Sequence, residues 1–418
     1  MSSPLALLGG VPAVTEPAPH FTWPPFAGCS SQSVLHQVHG ASSCAGTPDV
    51  VAQLEDTLAA YVGVRHAVAT NSGTAALHAV YLASGIRPRD EVIVPAYTSF
   101  ATVTPLLHLG AVPVLADSEE TGNISIAEVA ARITPNTKAI VVTHLWGIPA
   151  GVAALRRLAD FHGLLLIEDA SHAHGATVGG RKVGSIGDAA VFSLSTPKPL
   201  SADEGGLVLT NDDDLYHRLL AHGYGGTHGL EEVPTTHPLR PYAAASRGSA
   251  SRLHPVAAAA ALAQVPQLDG YLDGRADVAE YLCDELRHVP GVMVPILDDD
   301  IRAAWYRMPL TYLPDELDGL PVERLAEALQ AEGLHELQRP HSPCPLNLLP
   351  LLQDPAPLFP DHPQLDRIAY RPGQCPMAER VHRSTLTLPV WHNEEDVPLV
   401  RQYIAGFRKV AEHHHALH

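Results

Sequence analysis

The chain has 418 residues, 46% of them hydrophobic and 17% charged, which is enough apolar content for a large core and two or three domains. Its 45 acidic against 27 basic residues give a formal charge of −18, which argues against a nucleic-acid-binding surface but allows an anionic small substrate held by local arginines. No window reaches the ~18 apolar residues of a membrane span, and five widely spaced cysteines without a CxxC pair point to reduced thiols in a cytoplasmic setting, not to a disulfide framework or a zinc site.

The N-terminal MSSPLALLGGVPAV lacks a basic region and a long apolar core, so no signal peptide is expected. Residues 1–45, rich in Gly, Pro and Ser, read as an arm lying on other parts of the structure. From Pro48 a helix is predicted, with Val51, Leu54, Leu58 and Tyr61 on one face and Gly63 at its end. HAVATNSGTAALHAVYLASG then reads as a short strand, a tight turn and a helix. Ser72-Gly73-Thr74 falls where that helix begins, a place that either binds an anion on free N–H groups or is simply capped by Ser72 or Thr74. Strands EVIVP, VPVLAD, KAIVVTHLWG and LLLIED alternate with helices ATVTPLLHLG, ISIAEVAARI and VAALRRLADFHG, the pattern of a mainly parallel sheet covered on both faces.

The stretch from Leu164 to Thr210 carries the chemistry. It reads as three apolar strands, Leu164–Ile167, Ala189–Leu194 and Gly206–Thr210, with Asp169 just past the first and Lys198 just past the second. Ligands on such sheets lie beyond the carboxyl ends of the strands, where SGT, Asp169 and Lys198 can gather. Only four lysines occur: Lys138, Lys182 and Lys409 read as solvated surface charges, which leaves Lys198 as the candidate Schiff-base lysine. An acid and an amine at one sheet edge suit pyridoxal 5'-phosphate, whose aldehyde takes the amine and whose ring nitrogen takes the acid.

Beyond Thr210, DDLYHRLLAHG is predicted helical, a Gly/Pro/His-rich loop runs to about Ala250, and RLHPVAAAAALAQVPQLDGYL reads as one long helix leaving the large domain. Helices RADVAEYLCDELRHV, VERLAEALQAEG and DVPLVRQYIAGFRKVAEH then mix with strands AAWYRMPLTYL and STLTLPVW in an α+β arrangement. The proline-dense PHSPCPLNLLPLLQDPAPLFPDHP is a linker, a lid or, as its Leu and Phe content favours, an ordered packed loop. The terminal AEHHHALH reads as a frayed tail, with a metal site the lesser alternative because no complementary cluster accompanies it.

In order along the chain, NSGTAAL, DEVIVPAYT, GAVPVLAD, ITPNTKAIVVTHLWGIPA, IEDASHAHGA, VGSIGDAAVFSLSTPK, EGGLVLTND and a late LPV closely resemble the DegT/DnrJ/EryC1/StrS family of sugar aminotransferases, from about Val50 to Val410. The resemblance implies an α/β fold of the fold-type-I pyridoxal-phosphate class, with a large parallel-sheet domain (46–265) and a smaller α+β domain (266–418) following the arm (1–45). It implies that Lys198 is the covalent lysine, that Asp169 pairs with the ring nitrogen, and that His172 lies near the ring hydroxyl. It further implies that Gly73, Thr74, Ala75 and Ser193 form the phosphate cup. Three positions depart from the family pattern: Ser99 where an aromatic ring usually stacks on the cofactor (Tyr97 and Phe100 being candidate substitutes), Asp203 where Gly is common, and Ala250 in place of Asn in a GxNxR motif spanning Gly248 to Arg252.

The activity implied is transfer of an amino group from Glu or Gln to a carbonyl on a sugar, nucleotide-sugar or cyclitol in specialised metabolism. The departures keep a second possibility open, a pyridoxal-phosphate-dependent elimination, replacement or decarboxylation of an amino acid. A homodimer with its active site at the interface is expected, with no nucleic-acid or membrane partner. Specificity is expected in the arm, the 225–250 loop and the 340–363 segment, and Arg240, Arg247, Arg252 and Arg339 are candidates for anionic substrate groups or ordinary surface salt bridges.

Overall fold

The structure, a computed structural model, describes residues 5–24, 34, 49–223, 232–243 and 251–418. Its first layer of order is a seven-stranded sheet. In chain order the strands are β1 (His66–Thr70), β2 (Glu91–Pro95), β3 (Val112–Ala116), β4 (Thr137–Thr143), β5 (Leu165–Asp169), β6 (Ala189–Ser193) and β7 (Gly206–Thr210). Their spatial order is β1-β7-β6-β5-β4-β2-β3. β7 pairs antiparallel with both β1 and β6, and the remaining neighbours are parallel. Every residue of β2, β6 and β7 is buried, as continuous apolar runs between two helical layers require.

The helices around this sheet form where the sequence supplies their ends. α1 (Val50–Val62) starts at Asp49, which accepts from the Val51 N–H, and stops at Gly63 with φ 86°. α2 (Gly73–Ala83) is capped by Ser72, whose side chain accepts from the Ala75 N–H. α3 (Thr104–His108), α4 (Ile126–Arg132), α5 (Val152–His162) and α6 (Asp213–Ala221) follow. The segment predicted as one long helix is two, α7 (Pro255–Leu262) and α8 (Leu268–Leu286), separated by a 3-10 turn over Val265–Gln267. Pro266 lacks an N–H and crowds the preceding turn, so the apolar pattern continues while the helix does not.

A second sheet, β8 (Val292–Met293), β9 (Met308–Tyr312) and β10 (Thr385–Leu388), is antiparallel with β9 in the centre. α9 (Val322–Ala331) and, after two further helices α10 (Pro350–Gln353) and α11 (Pro376–Ser384), α12 (Val397–Glu412) accompany it. Val278, Leu282 and Leu286 of α8 join this second core, as do Leu5 and Val14 from the N-terminal segment.

The 340–363 segment is packed rather than loose. Cys344–Pro345 pairs antiparallel with Tyr97–Thr98, Leu346 and Leu352 are fully buried, and buried Asn347 donates to Glu379 at 2.6 Å. The chain's last residues also depart from the frayed-tail expectation. His414–Leu417 forms a 3-10 turn, Leu417 is buried, and its carbonyl accepts from Arg324. Two lysines read as solvated are engaged: Lys409 Nζ lies 2.7 Å from the fully buried Glu332, and Lys182 donates to the Tyr61 carbonyl over that residue's ring. Lys138 is exposed, as expected. The described cysteines Cys283, Cys344 and Cys375 are free thiols, and Cys29 and Cys44 lie outside the described residues.

Candidate active site

The carboxyl ends of β4, β5 and β6 and the start of antiparallel β7 meet at one sheet edge, because β7 runs opposite to its neighbours. A cavity of about 230 Å³ opens there, lined by Gly73, Thr74, Asp169, His172, Ser193 and Lys198 among others. The structure therefore gathers six of the seven sequence-derived site residues around one space. Ala75 is one position further along α2, and its N–H is already taken by Ser72 Oγ at 3.1 Å. The amides of Gly73 and Thr74 lie in the first helical turn, where no helical acceptor exists, so capping by Ser72 and an anion site coexist there. Gly73 is demanded by space: a Cβ at this position would lie 2.8 Å from Ser193 Cβ.

Asp169 is the last residue of β5 and 4% exposed. Its Oδ2 accepts from Thr102 Oγ1 at 2.9 Å, and its Oδ1 from the Ser171 N–H at 3.3 Å. Behind it the hydroxyls of Thr102, Thr98 and Thr143 form a chain, at 3.1 and 3.0 Å, through fully or nearly buried positions. Pattern reading found none of these threonines. The signal was present in YTSFAT, whose polar residues interrupt an apolar context, but only the fold shows that they face β5.

Lys198 sits on a closed loop between β6 and β7. Leu194 donates to the Gly205 carbonyl at 2.8 Å, Ala202 to that of Leu194 at 2.7 Å, and the Thr196 and Ser201 hydroxyls meet at 2.8 Å. Gln264 clamps Ser201 from below, its Nε2 donating to the Ser201 carbonyl at 2.6 Å. From the N-terminal segment Trp23 Nε1 donates to the Lys198 carbonyl at 2.6 Å, while its ring lies 4.1 Å from the buried guanidinium of Arg275. Burial pushes the Lys198 amine down to about 8, against the opposing pull of Asp169. Its Nζ lies 4.2 Å from the ring centroid of Tyr306, which stacks on His172 at 4.3 Å. Gly147, at φ 85°, makes this approach possible, since a Cβ there would lie 2.8 Å from the Tyr306 amide nitrogen. Burial, and then the nearby Lys198 charge, hold His172 well below the usual histidine range, and its buried Nδ1 has no partner.

The family departures have local explanations. Asp203 adopts φ 69°, a left-handed conformation that glycine enters freely; it is exposed, and its carbonyl accepts from the Thr196 N–H. Ser99 caps the 3-10 turn Phe100–Thr102. Of the two aromatic candidates to replace it, Phe100 lines the cavity, whereas Tyr97 is fully buried beside His382 and does not. Gly248, Ala250 and Arg247 lie outside the described residues. Arg339 pairs with Glu323, Arg240 donates to the Val233 carbonyl, and neither of these nor Arg252 lines the cavity.

The cavity thus brings together a buried acid, an amine of lowered pKa and the start of α2, the kinds of group that pyridoxal phosphate requires. The unpartnered His172 Nδ1 and the Gly73–Ser193 cradle fit the same ligand. Fold and site together define a pyridoxal-phosphate-dependent aminotransferase of fold type I. More narrowly, the chain belongs to the DegT/DnrJ/EryC1/StrS aminotransferase family, whose model matches residues 35–401. It is 34% identical over 427 residues to the L-glutamine:2-deoxy-scyllo-inosose aminotransferase of Streptoalloteichus tenebrarius, covering 98% of each chain. It is also 33% identical to the dTDP-3-amino-3,4,6-trideoxy-alpha-D-glucose transaminase of Streptomyces venezuelae, over 86% of each. The solved structure of DesI in the presence of its TDP-sugar product superposes with a TM-score of 0.79 at 31% identity, covering 98% of this chain and 97% of that one.

Proposed function

We propose that this aminotransferase moves an amino group from glutamate or glutamine to a carbonyl of a sugar, nucleotide-linked sugar or cyclitol, in a specialised biosynthetic pathway. The carrying observation is the convergence of Asp169 and Lys198 on one cavity, in a chain whose full-length relatives are named for cyclitol and nucleotide-sugar transamination.

Pyridoxal phosphate supplies the electron sink that makes a substrate C–H acidic. Asp169, already accepting two hydrogen bonds, offers a negative charge that keeps a proton on the ring nitrogen. Lys198 Nζ, with its pKa brought to about 8, takes the proton from the donor's α-carbon in its neutral form. The Gly73 and Thr74 amides with Ser193 Oγ hold the anionic group, Ala75 supports them only as part of the turn because its N–H is given to Ser72 Oγ, and His172 flanks the ring. The buried threonines keep the Asp169 carboxylate from rotating.

In this reading residues 46–265 form the cofactor domain, 266–418 the smaller domain and 1–45 the arm. The working form is a cytoplasmic homodimer with its active site at the interface. Among the described residues no helix is long and apolar enough to cross a membrane. A monomer mass in sedimentation at working concentration would overturn the dimer.

The test is a product balance. The protein with pyridoxal phosphate, glutamine or glutamate, and a keto-cyclitol or nucleotide keto-sugar should transfer one amino group per donor consumed. Lys198→Ala should lose about 10³-fold or more of this rate, and borohydride reduction with peptide mapping should find the pyridoxyl adduct on Lys198. Release of ammonia or carbon dioxide without transfer would overturn the reading.

A further inference from the structure

Outside the cofactor cavity one group of side chains converges without a role in transamination. Asp318 ends the 3-10 turn Pro314–Leu317, and His414 and His415 follow the end of α12. The carboxylate oxygen and the two imidazole nitrogens all lie within 4.8 Å of one another, although the residues are almost a hundred positions apart. The sequence offered the histidines alone, and folding supplies the acid they lacked. We propose that Asp318, His414 and His415 form a zinc-binding site that ties the end of α12 to the 314–318 turn.

The spacing of the three side chains carries the assignment. His414 Nδ1 lies 2.7 Å from the Ala411 carbonyl, which only accepts, so Nδ1 donates there and Nε2 is the ring nitrogen turned toward Asp318. His414 Nε2 lies 3.0 Å from Asp318 Oδ2, and His415 Nδ1 lies 2.9 Å from the same oxygen. Three potential ligand atoms thus lie close together, and a divalent cation that displaces the protons between them binds all three at once. The contact to Ala411 is the outer-shell partner that metal-bound histidines ordinarily have, fixing tautomer and ring direction.

Two imidazoles and one carboxylate suit zinc, whereas calcium and magnesium take oxygen donors. Tetrahedral bonds of about 2.0–2.1 Å set neighbouring donors roughly 3.3 Å apart, so closing on the ion requires only small side-chain movements, with water as fourth ligand. Among the described residues the two histidines are the only ion-pair partners of Asp318, leaving no arginine or lysine to compete.

The test uses the full chain with pyridoxal phosphate bound and no added affinity tag. Dialysis against zinc sulfate followed by metal analysis should find one zinc per chain more in the natural protein than in Asp318→Asn or His415→Gln. Calorimetric affinity for zinc should fall at least about 10-fold in either variant, since losing a ligand costs no less than losing an outer-shell partner. Zinc should raise the melting temperature of the natural protein and not of the variants, with transamination unchanged in all three. Asn tolerates the left-handed backbone at 318 (φ 52°), and His415 is exposed, so both variants should fold. Equal zinc binding by natural protein and variants, or no difference in melting, overturns the site and leaves an imidazolium–carboxylate pair.

Discussion

Asp169 and Lys198 face one cavity, yet they are held in different ways. The acid ends a strand and is fixed by a chain of buried hydroxyls from β4 and the 98–102 segment. The amine rides on a loop positioned from far along the chain: by Trp23 near the N-terminus, Gln264 between α7 and α8, and Tyr306 before β9. The acid side is thus made rigid by satisfied hydrogen bonds within the sheet layer. The amine side is made hydrophobic, which lowers its pKa, by aromatic and loop packing from three separate segments.

Variants on each side separate the two effects. On the acid side Asp169→Asn removes a buried charge, and the loss of about 2–5 kcal/mol for breaking such a pair predicts a fall in turnover of about 30-fold or more, while the Lys198 adduct still forms. A variant retaining normal turnover would show that the charge is dispensable. On the amine side the cofactor-free protein should capture pyridoxal phosphate only through neutral Lys198. Since the amine lies at about 8 and is protonated below it, the capture rate should rise about tenfold per pH unit up to that point and then level off. A rate still climbing at pH 10 would place the amine at its ordinary value and contradict burial as the controlling factor.

Thr102→Val probes the acid side more gently. It deletes a hydrogen bond to a carboxylate, worth about 1.5–3 kcal/mol, so turnover should fall by roughly 10-fold or more with the pH dependence of capture unchanged. Trp23→Phe is the smallest change. It keeps a ring near Arg275 and loses the bond to the Lys198 carbonyl, and at about 0.5–1.5 kcal/mol it should slow capture by only a few-fold. If Trp23→Phe instead altered turnover without altering capture, the division between the two sides would fail.

Some of this arrangement is written locally. Apolar runs of β-branched residues give the strands, Ser72 and Gly63 mark helix ends, and a sheet of this type delivers whatever follows its strands to one edge, so Asp169 and Lys198 can be picked out without a structure. Where local and distant effects compete, pattern reading went astray. The apolar face running through Val265 and Leu268 suggested an unbroken helix, but Pro266 divides it. Lys409 and Lys182 read as surface charges because nothing nearby in sequence shows Glu332 or the Tyr61 carbonyl. Tyr97, an aromatic beside the site in sequence, points into the core instead, because strand pairing with Cys344–Pro345 fixes which way it faces.

By itself the sequence determined the run of most strands and helices, each read from neighbours within a few residues, and, through blocks ordered from about Val50 to Val410, the family; it also singled out Asp169 and Lys198 as the candidate acid and amine. Only the tertiary structure decided what surrounds them: the threonine chain behind Asp169, Trp23 and Tyr306 around Lys198, and Asp318 beside the terminal histidines. These contacts join segments tens to hundreds of residues apart. They arise from close packing and hydrogen-bond satisfaction in three dimensions, which leave no period or spacing along the chain.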